Sequence, residues 1–376
     1  MPDLSVIQAA LNRAVTDGIF PGAVLAVRCG GKPASRFHAG HLSTVPPGSP
    51  VRISTIYDLA SLTKPLATVT ALVVLLQKNR CRLDDRVTDH LPECVDAPIG
   101  SATIRHLLTH SSGLPGWRGF YERLSPTAII PSSVEQRALA KRAMLSLIGS
   151  ETLLYERGTR SLYSDLGFIV LGLIVERISE QSLNDYFLSH IVQPLGGLRI
   201  GYILSEQLGV LADRLPDETN GVAPTEVDPW RGRLLCGEVH DQNAAALGGE
   251  AGHAGLFGTA DAVLAITGEW LRARQGRGMI LDQGIALEFT RRQNREEASS
   301  WALGWDTPSA PSSAGRYFSA HSFGHLGYTG TSIWLDPERD MEVVLLSNRV
   351  HPSSRNEAIR EFRPVIHDLV YQEFFR

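Results

Sequence analysis

The segment from Ser61 through Leu76 does most to restrict what this chain can become. Val69, Leu72, Val73 and Leu76 recur at helical spacing and the positions between them are mostly apolar, so this helix is hydrophobic on nearly every face. A helix of that kind belongs at the centre of a protein, wrapped by other elements. Pro65 suits its first turn, where a missing N–H removes no hydrogen bond. Yet the helix carries Lys64, one of only four lysines in the chain (Lys32, Lys64, Lys78 and Lys141). A buried lysine needs a reason, and Ser61 offers one. Residues three apart share a helix face, so the Lys64 amine can reach the Ser61 hydroxyl.

The flanking sequence predicts what wraps the helix. Leu4, Ile7, Leu11 and Val15 give an amphipathic opening helix that stops near Gly18. Ala23 to Val27 and Ser35 to His38 read as strands joined across Gly30-Gly31-Lys32. A turn-rich stretch with Pro46, Pro47, Gly48 and Pro50 follows. Helical periodicity then dominates to about Gly248, at Ile104–Leu108, Val134–Ile148, Leu166–Ile178 and Leu183–Ile191, with little strand signal. Strand-like runs return at Trp301–Trp305, Ser332–Leu335 and Met341–Leu346, before a closing helix from about Asn356 to Phe374. Strands at both ends and helices between them predict one antiparallel sheet built from both termini, with a helical insertion.

Composition narrows the function. A net charge of -4 gives no basic field to gather nucleic acid or an anionic membrane. Cys29, Cys81, Cys94 and Cys236 form no CxxC pair, which fits neither zinc ligation nor a disulfide framework and points to a reducing compartment. Met1-Pro2-Asp3-Leu4-Ser5 lacks a basic and apolar leader, and no run of about 18 or more apolar residues is evident. The expectation is a cytoplasmic protein without a membrane span, or a periplasmic one if a leader has been removed. His321, His325 and His351 show no metal-ligand spacing, and phosphate- and dinucleotide-binding glycine patterns are absent, so no metal or cofactor is implied. The lack of a GxSxG elbow argues against an α/β-hydrolase.

A serine hydroxyl is a weak nucleophile until something takes its proton. A lysine in a dry site has its pKa pushed down and can be that base. A serine at a helix N-terminus also lies beside free backbone N–H groups that favour developing negative charge. By itself SxxK is a weak pattern, and a solvated lysine one turn from an N-cap serine reads the same way.

The wider pattern is more specific. Tyr57-Asp58-Leu59-Ala60-Ser61-Leu62-Thr63-Lys64 resembles the nucleophile motif of the class C branch of the β-lactamase and penicillin-binding-protein superfamily. The segment Leu107 to Pro115 is similar to the one that usually follows it. Tyr163-Ser164-Asp165 lies where the second motif, tyrosine-x-asparagine, is expected. Ala251 to Phe257 resembles a segment of the esterase and peptidase members, and Phe323 to Gly330 the third motif, on the strand lining the site.

The resemblance implies a β-lactamase/transpeptidase-like α/β (α+β) fold, with an antiparallel sheet flanked by helices plus an all-helical domain. Residues 1–85 and 255–376 would form the sheet domain and 86–254 the helical one, with the site in the cleft between them. It implies Ser61 as acyl-accepting nucleophile, Lys64 beside it, and Tyr163 as proton relay, where the plainer reading is a core tyrosine. The N–H groups of Ser61 and Tyr328 would form the oxyanion hole. Gly327 would let substrate approach the strand, and Asp165, His325 and Arg349 would contact it.

Two departures bear on substrate. Ionised Asp165 only accepts hydrogen bonds where asparagine would also donate, and it can instead hold Lys64 charged, leaving Tyr163 as the base. His325 stands where many β-lactamases have lysine, so it anchors a carboxylate less firmly. An ester or a D-amino-acid-containing peptide or amide is therefore the expected small-molecule substrate. A true class C-type β-lactamase is the first alternative, and a non-catalytic ligand-binding member the second. His253, ahead of a helix near Asp261, reads as a structural hydrogen-bonding residue, as do His110 and His240-Asp241.

Overall fold

The computed structural model describes residues 4–44, 48–204, 221–293 and 299–375, so Met1 to Asp3, Pro46 and Pro47 lie outside the described residues. Strands β1 (Gly22–Cys29) and β2 (Ser35–Gly40) come first. The short β3 (Tyr57–Asp58), β4 (Ile200–Tyr202), β5 (Val227–Asp228), β6 (Arg233–Leu234) and β7 (Leu256–Gly258) follow, then β8 (Phe323–Leu326), β9 (Ser332–Asp336) and β10 (Met341–Ser347). The helices used below are α1 (Leu4–Thr16), α2 (Thr70–Gln77), α3 (Ile104–Leu108), α4 (Val134–Gly149), α5 (Asp165–Ser179), α6 (Leu183–Phe187), α7 (Ala260–Arg274) and α8 (Ile359–Phe375).

The main sheet has the order β2-β1-β10-β9-β8 and is antiparallel throughout. As expected, it is built from both ends of the chain: β1 pairs with β10 from Ala23↔Ser347 to Cys29↔Met341. Alternation along the strands divides the core. Ala23, Leu25, Val27, Val343 and Leu345 face a cluster with Ile7 and Leu11 of α1 and Phe362 and Ile366 of α8. Val24, Ala26, Val344 and Leu346 point the other way, into a larger cluster that holds α2, α3, α5 and α7. Because both faces are covered, β1 and β10 read as nearly continuous apolar runs.

Three sequence expectations need correction. Trp301 to Trp305 is not a strand. Trp301 makes only an isolated bridge to Asp306, and the chain turns at Gly304 (φ 77), where any side chain would collide with Val69. The middle region does hold strands, β4 to β6, each too short to show the alternation that marks a strand in sequence. The closing helix begins at Ile359 rather than near Asn356. A fourth point concerns residues 60–77. By length and composition they match a membrane-crossing helix, but 83% of that window is buried inside the protein, which marks a core helix.

Candidate active site

Strand β3 pairs with β7 and leads directly into the Ser61 turn. Just before the serine, Ala60 adopts φ 48, a left-handed conformation that costs a non-glycine residue about 1 kcal/mol or more. Asp58 holds it there. Its Oδ1 accepts the Ala60 N–H at 2.8 Å and its Oδ2 the His240 N–H at 2.7 Å. Burial raises the Asp58 carboxyl pKa, while these two donors pull it back. Ser61 then lies in a 3₁₀ turn (Ala60–Leu62), and Lys64 opens a π-helical turn (Lys64–Val69) that continues into α2. Departures from regular α-helix of this kind recur at functional sites.

Lys64 is fully buried, and its Nζ donates to Ser61 Oγ at 2.9 Å and to the His253 carbonyl at 3.1 Å. Asp165, the first residue of α5, lies 2.6 Å from the same Nζ as an ion contact off the hydrogen-bond axis. Burial alone would push the lysine pKa down, but Asp165 and then Tyr163 outweigh it and hold the ammonium above its ordinary value. Of the two sequence alternatives, the charged lysine is the one this geometry supports. The Tyr163 ring centroid is 4.9 Å from Nζ, and the ring stacks on Trp301 at 5.5 Å. Burial raises the Tyr163 phenol and the Lys64 charge draws it back, with a net rise. The resting pair is ammonium and phenol.

Opposite the serine, the 327–331 turn after β8 docks on the segment that delivers it. Thr329 Oγ1 donates to the Asp58 carbonyl at 2.8 Å and Thr331 Oγ1 to the Leu59 carbonyl at 3.1 Å. The fit requires Gly327, because a side chain there would collide with Thr331 Oγ1 and Leu59 O. The close approach at this glycine is therefore made by the protein's own backbone.

A cavity of about 660 Å³ opens between these elements, a size typical of small-molecule sites. Ser61, Tyr163 and Asp165 line one part of it, and His325, Gly327, Tyr328 and Arg349 another, so the structure brings together every expected site residue, with Lys64 behind Ser61. His325 Nδ1 donates to the Leu326 carbonyl at 2.8 Å, and its Nε2 is buried without a partner. Burial, then the Lys64 charge, pushes its pKa down to about 3. His325 is thus a neutral acceptor and cannot anchor a carboxylate by charge. Arg349 is engaged by carbonyls: Nε donates to Tyr328 O and Nη1 to Ser354 O and Asn356 O, each at 2.8 Å.

The structural histidines behave as expected, with one change of partner. His253 Nε2 meets Asp241 Oδ1 at 2.8 Å, whereas Asp261 pairs with Arg36. The preceding His240-Asp241 pair gave no sign of that contact, because Gly248 to Gly252 fold the chain back between them. His110 Nδ1 accepts the Ser164 N–H at 3.0 Å, which ties the second motif to the 107–115 segment. Asp241, Asp306 and Arg363 also line the cavity and were not anticipated. Arg363 did leave a signal: with Ile359, Phe362 and Ile366 it falls on the apolar face of α8.

Likeness to known proteins covers nearly all of the chain. The family model for Beta-lactamase matches residues 7–364. A relative in Escherichia coli (strain K12) named "Putative D-alanyl-D-alanine carboxypeptidase" is 30% identical over 313 residues, 79% of this chain and 70% of its own. An N-acetylmuramyl-L-alanine amidase of Bacillus subtilis (strain 168) is 29% identical over 93% of this chain and 81% of its own. EstCE1, a hydrolase with promiscuous acyltransferase activity, shares the fold with a TM-score of 0.71 at 24% identity, covering 96% of this chain and 98% of its own. A penicillin-binding protein homologue from Caulobacter crescentus does so with a TM-score of 0.72 at 19% identity, over 99% and 98%. One family match running from α1 into α8 decides the matter: the chain belongs to the Beta-lactamase family, among the serine hydrolases of the β-lactamase and penicillin-binding-protein superfamily.

Proposed function

We propose that the protein is an acyl-transfer hydrolase in which Ser61 is acylated by an ester or by a D-amino-acid-containing peptide or amide. The observation that carries this is the 2.9 Å bond between fully buried Lys64 and Ser61, at the wall of the cavity. Loss of the phenol proton to solvent leaves a Tyr163 phenolate that charged Lys64 stabilises, and Ser61 Oγ attacks the carbonyl as its own proton passes to that phenolate oxygen. The Ser61 and Tyr328 N–H groups hold the oxyanion. The carbonyl bond to the leaving group breaks as that group takes the proton from Tyr163, and water then releases the acyl group by the reverse relay. Asp165, His325, Gly327 and Arg349 frame the substrate.

Carboxypeptidase, amidase and hydrolase names among the relatives support this substrate range. A β-lactamase reading is weaker, because neutral His325 supplies no fixed charge for a β-lactam carboxylate and ion-paired Asp165 donates no hydrogen bond. Time-resolved intact mass with p-nitrophenyl butyrate and, separately, benzylpenicillin is the test. A transient butyryl adduct that is absent in Ser61→Ala, with little penicilloyl adduct, is the expected outcome. A penicilloyl adduct that forms and clears would make the protein a β-lactamase. No adduct from either, and no fluorophosphonate label on Ser61, would leave a binding protein.

A further inference from the structure

Arg363 is hard to explain as a stability element. It is 6% exposed and forms no ion pair among the described residues. Its Nη2 donates to two carbonyls, Gly327 O and Thr331 O, each at 2.8 Å, and its Nε is buried with no partner. Burial, then the positive charges of Arg349 and Arg360, pushes its guanidinium down to about 9. A cation largely shielded from water, without a carboxylate partner and held by two carbonyls alone is costly, and a neutral side chain of similar size would avoid that cost.

What the cation touches gives the reason. The Gly327 carbonyl and the Tyr328 N–H are the two ends of one peptide group, which is planar and trans, so they point in opposite directions. A guanidinium fixed on the oxygen from α8 sets that plane and turns the Tyr328 N–H away from α8. Charge-assisted hydrogen bonding at the oxygen also draws electron density from the amide and makes its N–H a stronger donor. The peptide on the other side of Tyr328 is held in the same manner, since Arg349 Nε donates to Tyr328 O. Gly327 N–H donates to Thr331 O, the second carbonyl that Arg363 grips, so the whole turn is fixed as a unit.

We propose that Arg363 is the positioning residue of the oxyanion hole: through the Gly327 carbonyl it orients and polarises the Tyr328 N–H that receives the developing negative charge. It acts through the backbone carbonyl that it grips. The inference rests on the reading of Ser61 and Tyr328 given above.

The test uses the full chain with Arg363→Met and Arg363→Lys. Infrared spectra of the enzyme acylated by carbonyl-labelled (¹³C) p-nitrophenyl butyrate report hydrogen bonding to the acyl oxygen directly, because stronger bonds lower its stretching frequency. In Arg363→Met the band should move to higher frequency and kcat should fall about ten- to a hundredfold with KM little changed, less than the loss from deleting an oxyanion donor outright. Arg363→Lys, which keeps a cation for the same carbonyls, should recover part of both. A variant whose Ser61 acylates at the wild-type rate with an unmoved carbonyl band would overturn the proposal, whatever its melting temperature. A wild-type protein that forms no adduct on Ser61 would overturn the nucleophile assignment and this proposal with it.

Discussion

Two of the four lysines, Lys64 fully and Lys141 largely buried, sit against carboxylates, and comparing their surroundings separates the charge proposed to be reactive from a structural one. Lys141 of α4 pairs with Glu176 of α5 and with Glu250. Those carboxylates are engaged further, Glu250 accepting the Asn184 N–H at 2.6 Å and Glu176 the Leu183 N–H at 3.1 Å, at the start of α6. Carboxylates at a helix start also suit its dipole. The cluster has more acid than base, and burial followed by its neighbour Glu250 helps to raise Glu176 against the pull of Lys141. Every strong contact in it joins a helix to another helix or to the loop that carries Glu250. Lys64 faces a single carboxylate and spends one N–H on a neutral hydroxyl. In both places the ammonium is held above its ordinary pKa, so the value alone does not mark the reactive one. The partner does: a lysine saturated by carboxylates is a clamp, and one left short of them can act on the serine.

Paired substitutions sharpen that contrast. Lys64→Met is expected to lower the rate of Ser61 acylation by roughly 10⁴-fold or more, with the fold retained, followed by p-nitrophenolate release. Lys141→Met should do the opposite. Stranding Glu250 beside Glu176 should cost about 3 kcal/mol in urea unfolding, with kcat/KM per folded molecule within about twofold of wild type. If Lys141→Met instead lost activity at unchanged stability, the division into clamp and reactive lysine would fail.

Asp165→Asn tests the single carboxylate. Removing its charge takes away a repulsion that helps to raise the Tyr163 phenol, so the phenolate base should form at lower pH and the alkaline-rising limb of acylation should shift down by about one pH unit or more. An unmoved limb would mean that Asp165 does not act on the Tyr163 base.

The smallest effect concerns His325, which lies in the field of Lys64. Its pKa is about 3 in the folded chain, against an ordinary 6.5. Between those values the unfolded chain binds the extra proton and the folded chain does not, so stability falls as pH drops through that window. His325→Gln should therefore lose less stability than wild type from pH 6.5 to 5.5, by about 1 kcal/mol. An equal loss in both would show that the histidine titrates while folded.

Much of this was legible in the sequence, for local reasons. Ser61 and Lys64 are one helical turn apart, so their contact follows from spacing. Tyr163 and Asp165 precede a strongly apolar helix that had to be buried. The Asp241 contact to His253 was not legible, since it depends on how a glycine-rich loop returns. The failed strand at Trp301–Trp305 is a case of composition misleading: Trp301 packs on His110, Tyr163 and His325, and Trp305 on Trp270 and Phe323, instead of pairing along a ladder. Arg363 lies between. Its position on the apolar face of α8 was visible, but its purpose required knowing which turn that face would meet.

The pairing of β1 with β10 also has a consequence in time. Ser61 is made well before its surroundings, since the turn bearing Tyr328 and the β10 strand beside the β1–β2 hairpin come roughly 270 or more residues later. Until residues 323–347 leave the ribosome, the proposed nucleophile has no facing turn and the first hairpin has no neighbour on its inner edge. A nascent or prematurely terminated chain therefore carries the serine without the means to use it, and the topology withholds reactivity until residues 323–347 have been made.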